Sequence, residues 1–170
     1  MKTIDPAFLK HIPIFAGLSD AQYASLVRIM ILRSLPAGSS IIREHEHGTE
    51  MFILLEGEVE VSKTLMLKVT GRGLDTRDKM LQRLSASDHA FFGEMGFFDE
   101  HGERSASVVA LTPVDVAVIT KEEFFALADS DKDLGYVILK NIIRIVSVRL
   151  DKTTKDVVKL TTALSLALER

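Results

Sequence analysis

The chain has 170 residues, with 21 Lys+Arg against 24 Asp+Glu (a net charge of −3), 46% hydrophobic and 26% charged residues. That length buries a core for one domain without staples, and the balance is ordinary globular usage rather than disorder. The absence of Cys excludes disulfide scaffolds, thiolate zinc sites and Cys nucleophiles, and the slight negative charge argues against broad nucleic-acid binding.

Residues 1–34 read as an N-terminal helical segment. Its opening, MKTIDPAFLK, has no apolar stretch of the kind a signal peptide carries, and the expected location is the cytoplasm. No apolar run reaches the ~18 residues that a membrane-spanning helix needs. Ser19 is placed as a helix N-cap with Gln22 at the third helical position, and Leu26, Val27 and Met30 continue an apolar stripe.

Residues 35–120 change to short β-rich runs at Ser40–Ile42, Met51–Leu55, Val59–Val61, Ser107–Ala110 and Val114–Ile119. Pro36-Ala37-Gly38, His47-Gly48, Glu56-Gly57 and Thr112-Pro113 punctuate them, which is the pattern of a sandwich or barrel. A basic stretch, 64–83, holds Gly71 and Gly73 and reads as a solvated hairpin tip.

Residues 121–170 return to helix. A short helix starts at Lys121 and ends near Asp129–Ser130, and a long one follows from about Lys132. Ile143, Val146, Leu150, Thr153, Val157, Leu160, Leu164 and Ala167 recur on it at alternating steps of three and four. That is the spacing of a coiled-coil seam, and a parallel homodimer through this helix is expected.

The chemistry concentrates between Phe91 and Val108, FFGEMGFFDEHGERSASV. Gly93-Glu94 opens a short apolar turn, Met95 to Phe98, and free N–H groups at such a start make an anion site. Arg104 lies ten residues after Glu94, beside the small residues Ser105, Ala106 and Ser107. A guanidinium reads phosphate oxygens through its planar fork, and a carboxylate accepts hydrogen bonds from sugar hydroxyls. Together they would hold a ribose and a phosphate side by side. Taken alone, the pair is read more simply as a structural ion pair.

This stretch resembles the phosphate-binding cassette of the cyclic nucleotide-binding domain family. Its Gly93-Glu94 and Glu103-Arg104-Ser105-Ala106 are most similar to those of the bacterial catabolite activator proteins. Ile12–Ser19 resembles the family's opening motif, and Gly48–Val59 its central hairpin. The resemblance implies a mainly β fold, an eight-stranded double-stranded β-helix (jelly roll) with N-terminal helices and a long C-terminal dimerisation helix. The chain then divides into a helical segment 1–34, a nucleotide-binding core 35–120 and C-terminal helices 121–170.

The same resemblance implies a ligand-binding set. Glu94 would accept the ribose 2′-hydroxyl. Arg104 and Ser105 would bind the cyclic phosphate, with Gly93 and Met95 beside it and the backbone N–H near Gly93 helping. Ala106 would let the phosphate approach closely, and Gly48 and Gly57 would serve strand turns. Arg149–Thr154 resembles the stretch where catabolite activators place a Thr-Ser pair. By that likeness one hydroxyl of Thr153 and Thr154 holds the adenine of its own subunit and the next reaches the partner's nucleotide. The implied ligand is cyclic AMP, bound at a dimer interface, with Ser105 leaving cyclic GMP open.

Three departures stand out. His45 replaces a family glycine, so its turn is expected to differ. Two extra residues fall around His89-Ala90, and about one extra helical turn is needed between Phe124 and Arg149. Catabolite activators continue into a helix-turn-helix module, for which no helical pair remains here. No direct DNA binding is expected. The output would pass to an effector protein that meets the basic hairpin near Arg72 or the terminal helix.

Two rival readings remain. His45-Glu46-His47-Gly48-Thr49-Glu50, followed by Gly57, nearly matches the metal motif of the cupins, enzymes on a related jelly roll that hold iron or manganese. However, Glu50 is one residue too close to His47 and alternates to the opposite strand face, and His89 and His101 fall in loops around the cassette. No metal is expected. The other rival is a degenerate module that keeps the barrel and dimer helix as an interaction scaffold; Glu94, Arg104 and Ser105 argue against it. No nucleophile–base spacing supports catalysis, and the expectation is a sensor rather than an enzyme.

Overall fold

The structure, a computed structural model, describes residues 3–69 and 73–168. The chain opens with helix α1 (Pro6–Leu9) and a single 3-10 turn (Pro13–Phe15), each started by a proline whose missing N–H has no helical partner to lose. Helix α2 (Asp20–Ile29) starts where the sequence places it. The Gln22 N–H donates to Ser19 Oγ at 3.3 Å, and the Ser19 N–H donates to Gln22 Oε1 at 3.0 Å. The helical reading of 1–34 fails at its end. Ile31–Leu35 form strand β1, because pairing with a later strand overrides the weak local preference of ILRSL.

The remaining strands are β2 (Ser40–Ile42), β3 (Glu50–Glu56), β4 (Glu58–Val69), β5 (Gly73–Ser85), β6 (Phe91–Phe92), β7 (Ser107–Ala110) and β8 (Val114–Thr120). They form two four-stranded antiparallel sheets, in the orders β1-β8-β3-β6 and β2-β7-β4-β5. This is the expected jelly roll. The basic stretch is a hairpin, as the sequence reading has it, but most of it is paired strand rather than tip, since β4 and β5 carry the pairing out to Val69 and Gly73. The tip itself, with Gly71 and Arg72, lies outside the described residues.

Strands β3 and β8 read as unbroken apolar runs because both of their faces are covered. Phe52, Leu54, Val116 and Val118 point into the space between the sheets, with Ile42, Val59 and Val108 opposite. Met51, Ile53, Ala117 and Ile119 point the other way, into a layer of helices that supplies Leu9, Phe15, Leu26 and Phe97. The period-2 alternation of a strand thus divides one run between two cores.

The C-terminal helices close that second core. Helix α4 (Lys121–Ser130) is capped by Thr120 Oγ1, which accepts from the Glu123 N–H at 3.3 Å. Helix α5 (Lys132–Leu168) starts at Asp131, whose carboxylate accepts from the Leu134 N–H at 2.9 Å and from Gln22 Nε2 at 3.1 Å. Those bonds hold the Asp131 carboxyl below its ordinary range. Asn141 Nδ2 donates to the carbonyls of Ile14 and Ala16, at 3.2 and 2.8 Å, and pins α5 to the 3-10 turn. Burial on α5 ends with Ile142, and every residue from Val146 to Leu168 is exposed. Among the described residues no helix is long and apolar enough to cross a membrane.

Two glycines in the left-handed region separate conformational strain from lack of space. Gly57 (φ +86°) would place a Cβ 2.4 Å from the Pro113 carbonyl oxygen, whereas Gly38 (φ +82°) has nothing within 4 Å. Gly38→Ala is therefore expected to destabilise by about 1 kcal/mol, from conformation alone. Gly57→Ala is expected to cost at least about twice that, because the clash adds to the same strain. Urea denaturation midpoints of the two variants check the order.

Candidate functional site

The site is a cleft of about 480 Å³ between the second sheet, the segment around α3 (Glu94–Phe98) and the middle of α5. Its floor is set by Arg104, which is 5% exposed. A buried cation needs partners. Nη1 of Arg104 donates to the carbonyls of Glu50, at 2.9 Å, and Gly93, at 3.0 Å, and the guanidinium lies 5.9 Å from the Phe52 ring centroid. Burial pulls its pKa down and the nearby Glu50 charge opposes that. Among the described residues no acceptor takes the Nε or Nη2 protons.

Three glycines leave room for this side chain. A Cβ on Gly48 would lie 2.6 Å from Nη2, one on Gly93 3.1 Å from Nη1, and one on Gly96 3.1 Å from Cδ. Gly48 therefore makes room for the Arg104 guanidinium beyond the strand-turn role that the sequence implies. Gly93 also needs its left-handed φ of +86° to turn β6 into α3.

Backbone bonds fix where Arg104 starts. Its N–H donates to the Glu46 carbonyl and its carbonyl accepts from the His45 N–H, both at 2.9 Å. The loop before it is organised by Asp99, whose Oδ2 accepts from the N–H groups of His101, at 2.9 Å, and Glu103, at 3.3 Å. Those bonds hold the Asp99 carboxyl below its usual range.

Glu94 is 8% exposed and is not the partner of Arg104. Its Oε1 accepts from Arg149 Nη1 at 2.6 Å, and the Arg149 guanidinium sits 4.9 Å from the Phe91 ring centroid. The simple Glu94–Arg104 ion pair is thus replaced by two separate arrangements. Arg149 is a residue that sequence reasoning passed over. The available signal was its position four residues before Thr153, on the same helix face.

Of the expected residues, Gly93, Glu94, Met95, Arg104, Ser105, Ala106 and Thr153 all line the one cleft. Thr154 does not; both threonines are exposed and turn Oγ1 back to the carbonyl four residues earlier at 2.9 Å, Thr153 to Arg149 and Thr154 to Leu150, and only Thr153 faces the cleft. Lys63 and Gln82 from the long hairpin complete the polar lining and were not singled out. The extra helical turn before Arg149 does not keep α5 from the cleft.

His45 keeps a left-handed backbone, φ +65°, without being glycine. Its Nδ1 faces Glu103 Oε1 at 2.9 Å. Among the described residues no group of three or more His, Asp and Glu is placed to hold a metal ion.

The match to known proteins agrees with this geometry. The family model for the cyclic nucleotide-binding domain matches residues 32–131. The cAMP-dependent protein kinase regulatory subunit of Mycosarcoma maydis is 34% identical over 119 residues, which is 68% of this chain and 20% of that protein. The chain thus spans about a fifth of the length of that relative. Among solved structures, the N-terminal domain of a transcriptional regulator from Streptomyces coelicolor A3(2) superposes with a TM-score of 0.70 at 25% identity, covering 86% of this chain and 94% of that one. The catabolite activator protein of Thermus thermophilus shares the fold, with a TM-score of 0.72 at 23% identity over 88% of this chain and 63% of that one. A buried arginine and a buried glutamate facing one cleft on a jelly roll, together with a family match over most of the barrel, make this chain a member of the cyclic nucleotide-binding domain family.

Proposed function

We propose that the chain is a cyclic nucleotide sensor that takes cyclic AMP, works as a homodimer through α5 and performs no catalysis itself. The observation that carries the reading is the separation of Glu94 and Arg104 onto different partners within one cleft. Arg104 keeps its Nε and Nη2 donors for a cyclic phosphate, with the Ser105 hydroxyl beside it and Ala106 and Gly48 too small to obstruct. Glu94 keeps carboxylate lone pairs for the ribose 2′-hydroxyl beyond the one that Arg149 uses. Thr153 offers its hydroxyl to the base, and Thr154, outside its own cleft, reaches the nucleotide of the partner subunit. The name of the Mycosarcoma maydis relative, a cAMP-dependent protein kinase regulatory subunit, supports cyclic AMP.

Regulation follows from where Arg149 sits. It belongs to α5, so a ribose that shares Glu94 changes how that helix is held. On the other side, Phe97 of α3 packs edge-on against Phe124 of α4, with centroids 5.6 Å apart. Ligand-dependent shifts of the cassette would reach both helices, and α5 would pass them to an effector protein as a change in helix pairing. The ligand does this only to the extent that it binds one arrangement better.

The second half of α5 favours the dimer. Leu150, Leu160 and Leu164 on the seam are 65, 70 and 59% exposed in the single chain. An apolar stripe of that length is unusual on a monomer surface, and its alternating three–four spacing suits a parallel coiled coil.

Titration calorimetry with cyclic AMP and cyclic GMP tests the ligand. Cyclic AMP is expected to bind at micromolar or tighter affinity, and Arg104→Ala to weaken it by at least about 30-fold, the loss of charge-assisted hydrogen bonds. Absence of heat from folded, nucleotide-free protein would overturn the sensor; preference for cyclic GMP would remove the roles given to Thr153 and Thr154. Gly48→Ala is expected to weaken binding about as much as Arg104→Ala, since its Cβ displaces the guanidinium; unchanged affinity would refute that. Leu160→Glu is expected to turn a dimer into a folded monomer in sedimentation velocity, because Leu160 is 70% exposed in its own chain. A wild-type monomer would refute the dimer.

A further inference from the structure

Strand β5 is the edge strand of its sheet and forms one wall of the cleft. Val61 of β4 pairs with Val108 of β7 on one side and with Gln82 of β5 on the other. Gln82 therefore lies two strand spacings, about 10 Å, from the strand that Arg104, Ser105 and Ala106 lead into. A nucleotide held by its phosphate at that strand extends its base towards β5.

The pairing of β4 with β5 has one irregularity at this place. Val61 faces Gln82 and Ser62 faces Met80, so Leu81 is an extra residue on β5. In an unbroken strand consecutive side chains point to opposite faces, and Leu81 would point away from the cleft that Gln82 lines. The bulge lets both line it. Leu81 is 54% exposed there, and Gln82 is exposed as well. Among the described residues no side-chain hydrogen bond engages the Gln82 amide.

A carboxamide presents a donor and an acceptor side by side. Adenine presents the complement, its N6 amino group beside N7, whereas guanine places the acceptor O6 where adenine has the amino donor. The helix wall has the same preference. Thr153 Oγ1 lies 2.9 Å from the Arg149 carbonyl, which only accepts, so the hydroxyl proton is committed and the oxygen remains as an acceptor. An amino group has a pair of protons to donate. The cleft offers an acceptor on each wall, Thr153 Oγ1 from α5 and Gln82 Oε1 from β5. Lys63, the other polar residue of the hairpin wall, would suit the O6 and N7 acceptors of guanine. It instead lies 3.7 Å from the Glu44 carboxylate and belongs to the recess that contains Ser105, at the phosphate end.

We propose that Gln82, beside Leu81 on the bulge of β5, selects adenine: Oε1 accepts from the N6 amino group, Nε2 donates to the adjacent ring nitrogen, and Leu81 covers part of the purine face. The inference rests on the reading of the cleft as a cyclic nucleotide site. It adds a base-selecting residue on the barrel to Thr153 on the helix.

Titration calorimetry with cyclic AMP, cyclic GMP and the 3′,5′-cyclic phosphate of purine riboside, which is cyclic AMP without its amino group, tests this. The wild type is expected to bind cyclic AMP tightest. Gln82→Leu keeps the bulk and removes the amide; it is expected to weaken cyclic AMP about ten-fold and the purine analogue about two-fold, because only the first loses the bond to the amino group. Gln82→Ala is expected to show the same difference. Arg104→Ala, which acts at the phosphate, is expected to weaken both ligands equally. Unchanged cyclic AMP affinity in both Gln82 variants, or equal weakening of cyclic AMP and the analogue, overturns the inference and leaves the nucleotide site intact. Wild-type preference for cyclic GMP does the same. Absence of wild-type binding to all three ligands overturns the nucleotide reading and the inference with it.

Discussion

The guanidinium of Arg104 is a cation with almost no surface left to water, and the parts of the site follow from the need to accommodate it. Burying an unpaired charge costs several kcal/mol even after relaxation. The offset comes from separate segments of chain: the Glu50 carbonyl from β3, the Gly93 carbonyl from the start of α3, and the face of Phe52. Three glycines from two segments, Gly48 and the Gly93/Gly96 pair, supply the space. Such a socket is rigid. Moving any one wall leaves either a clash or a buried donor without an acceptor, and each is worth kcal/mol rather than tenths.

A second cation, Arg149, has the complementary role. It is partly exposed, it approaches from α5, and it ends on the buried carboxylate of Glu94. The cleft therefore has a fixed positive side built from the barrel and a negative side whose partner belongs to a helix that leaves the barrel. Exposure along α5 shows the same division. The first turns are pinned by Asn141 and by Leu134 and Ile138 in the core, and the later turns touch little of their own chain. The helix is at once a wall of the site and a surface without an intrachain partner, which makes it a physically reasonable route from ligand to assembly.

The cassette shows how local chemistry and fold divide the work. Asp99 orders its own loop through backbone N–H groups within a few residues, as its proximity in sequence allows. The turn at His45 is different. A left-handed non-glycine persists there because backbone bonds to Arg104 and side-chain contacts to Glu103 over-determine it. The departure from glycine that marks this position in the sequence does not abolish the turn, because the surrounding contacts outweigh about 1 kcal/mol of strain.

What was legible in the sequence was short-range or strongly patterned. The Ser19–Gln22 capping box depends on residues three apart, and the cassette from Gly93 to Ala106 is one contiguous run. The helix start after Asp131 and the seam of α5 follow from local spacing. Strands β3 and β8 were visible as apolar runs, although only the structure shows that their alternate residues serve two cores. Strand β1 was missed because ILRSL acquires its conformation from β8, about eighty residues away, and the 64–83 hairpin was legible without the length of its paired strands, which depends on the register of β4 with β5. The role of Gly48 and the Arg149–Glu94 contact, across 55 residues of chain, lay beyond any local pattern. The sequence by itself determined which side chains carry charge and which segments are helical or extended. Tertiary structure decided which charges meet, because burial and hydrogen-bond geometry depend on segments that only folding brings together.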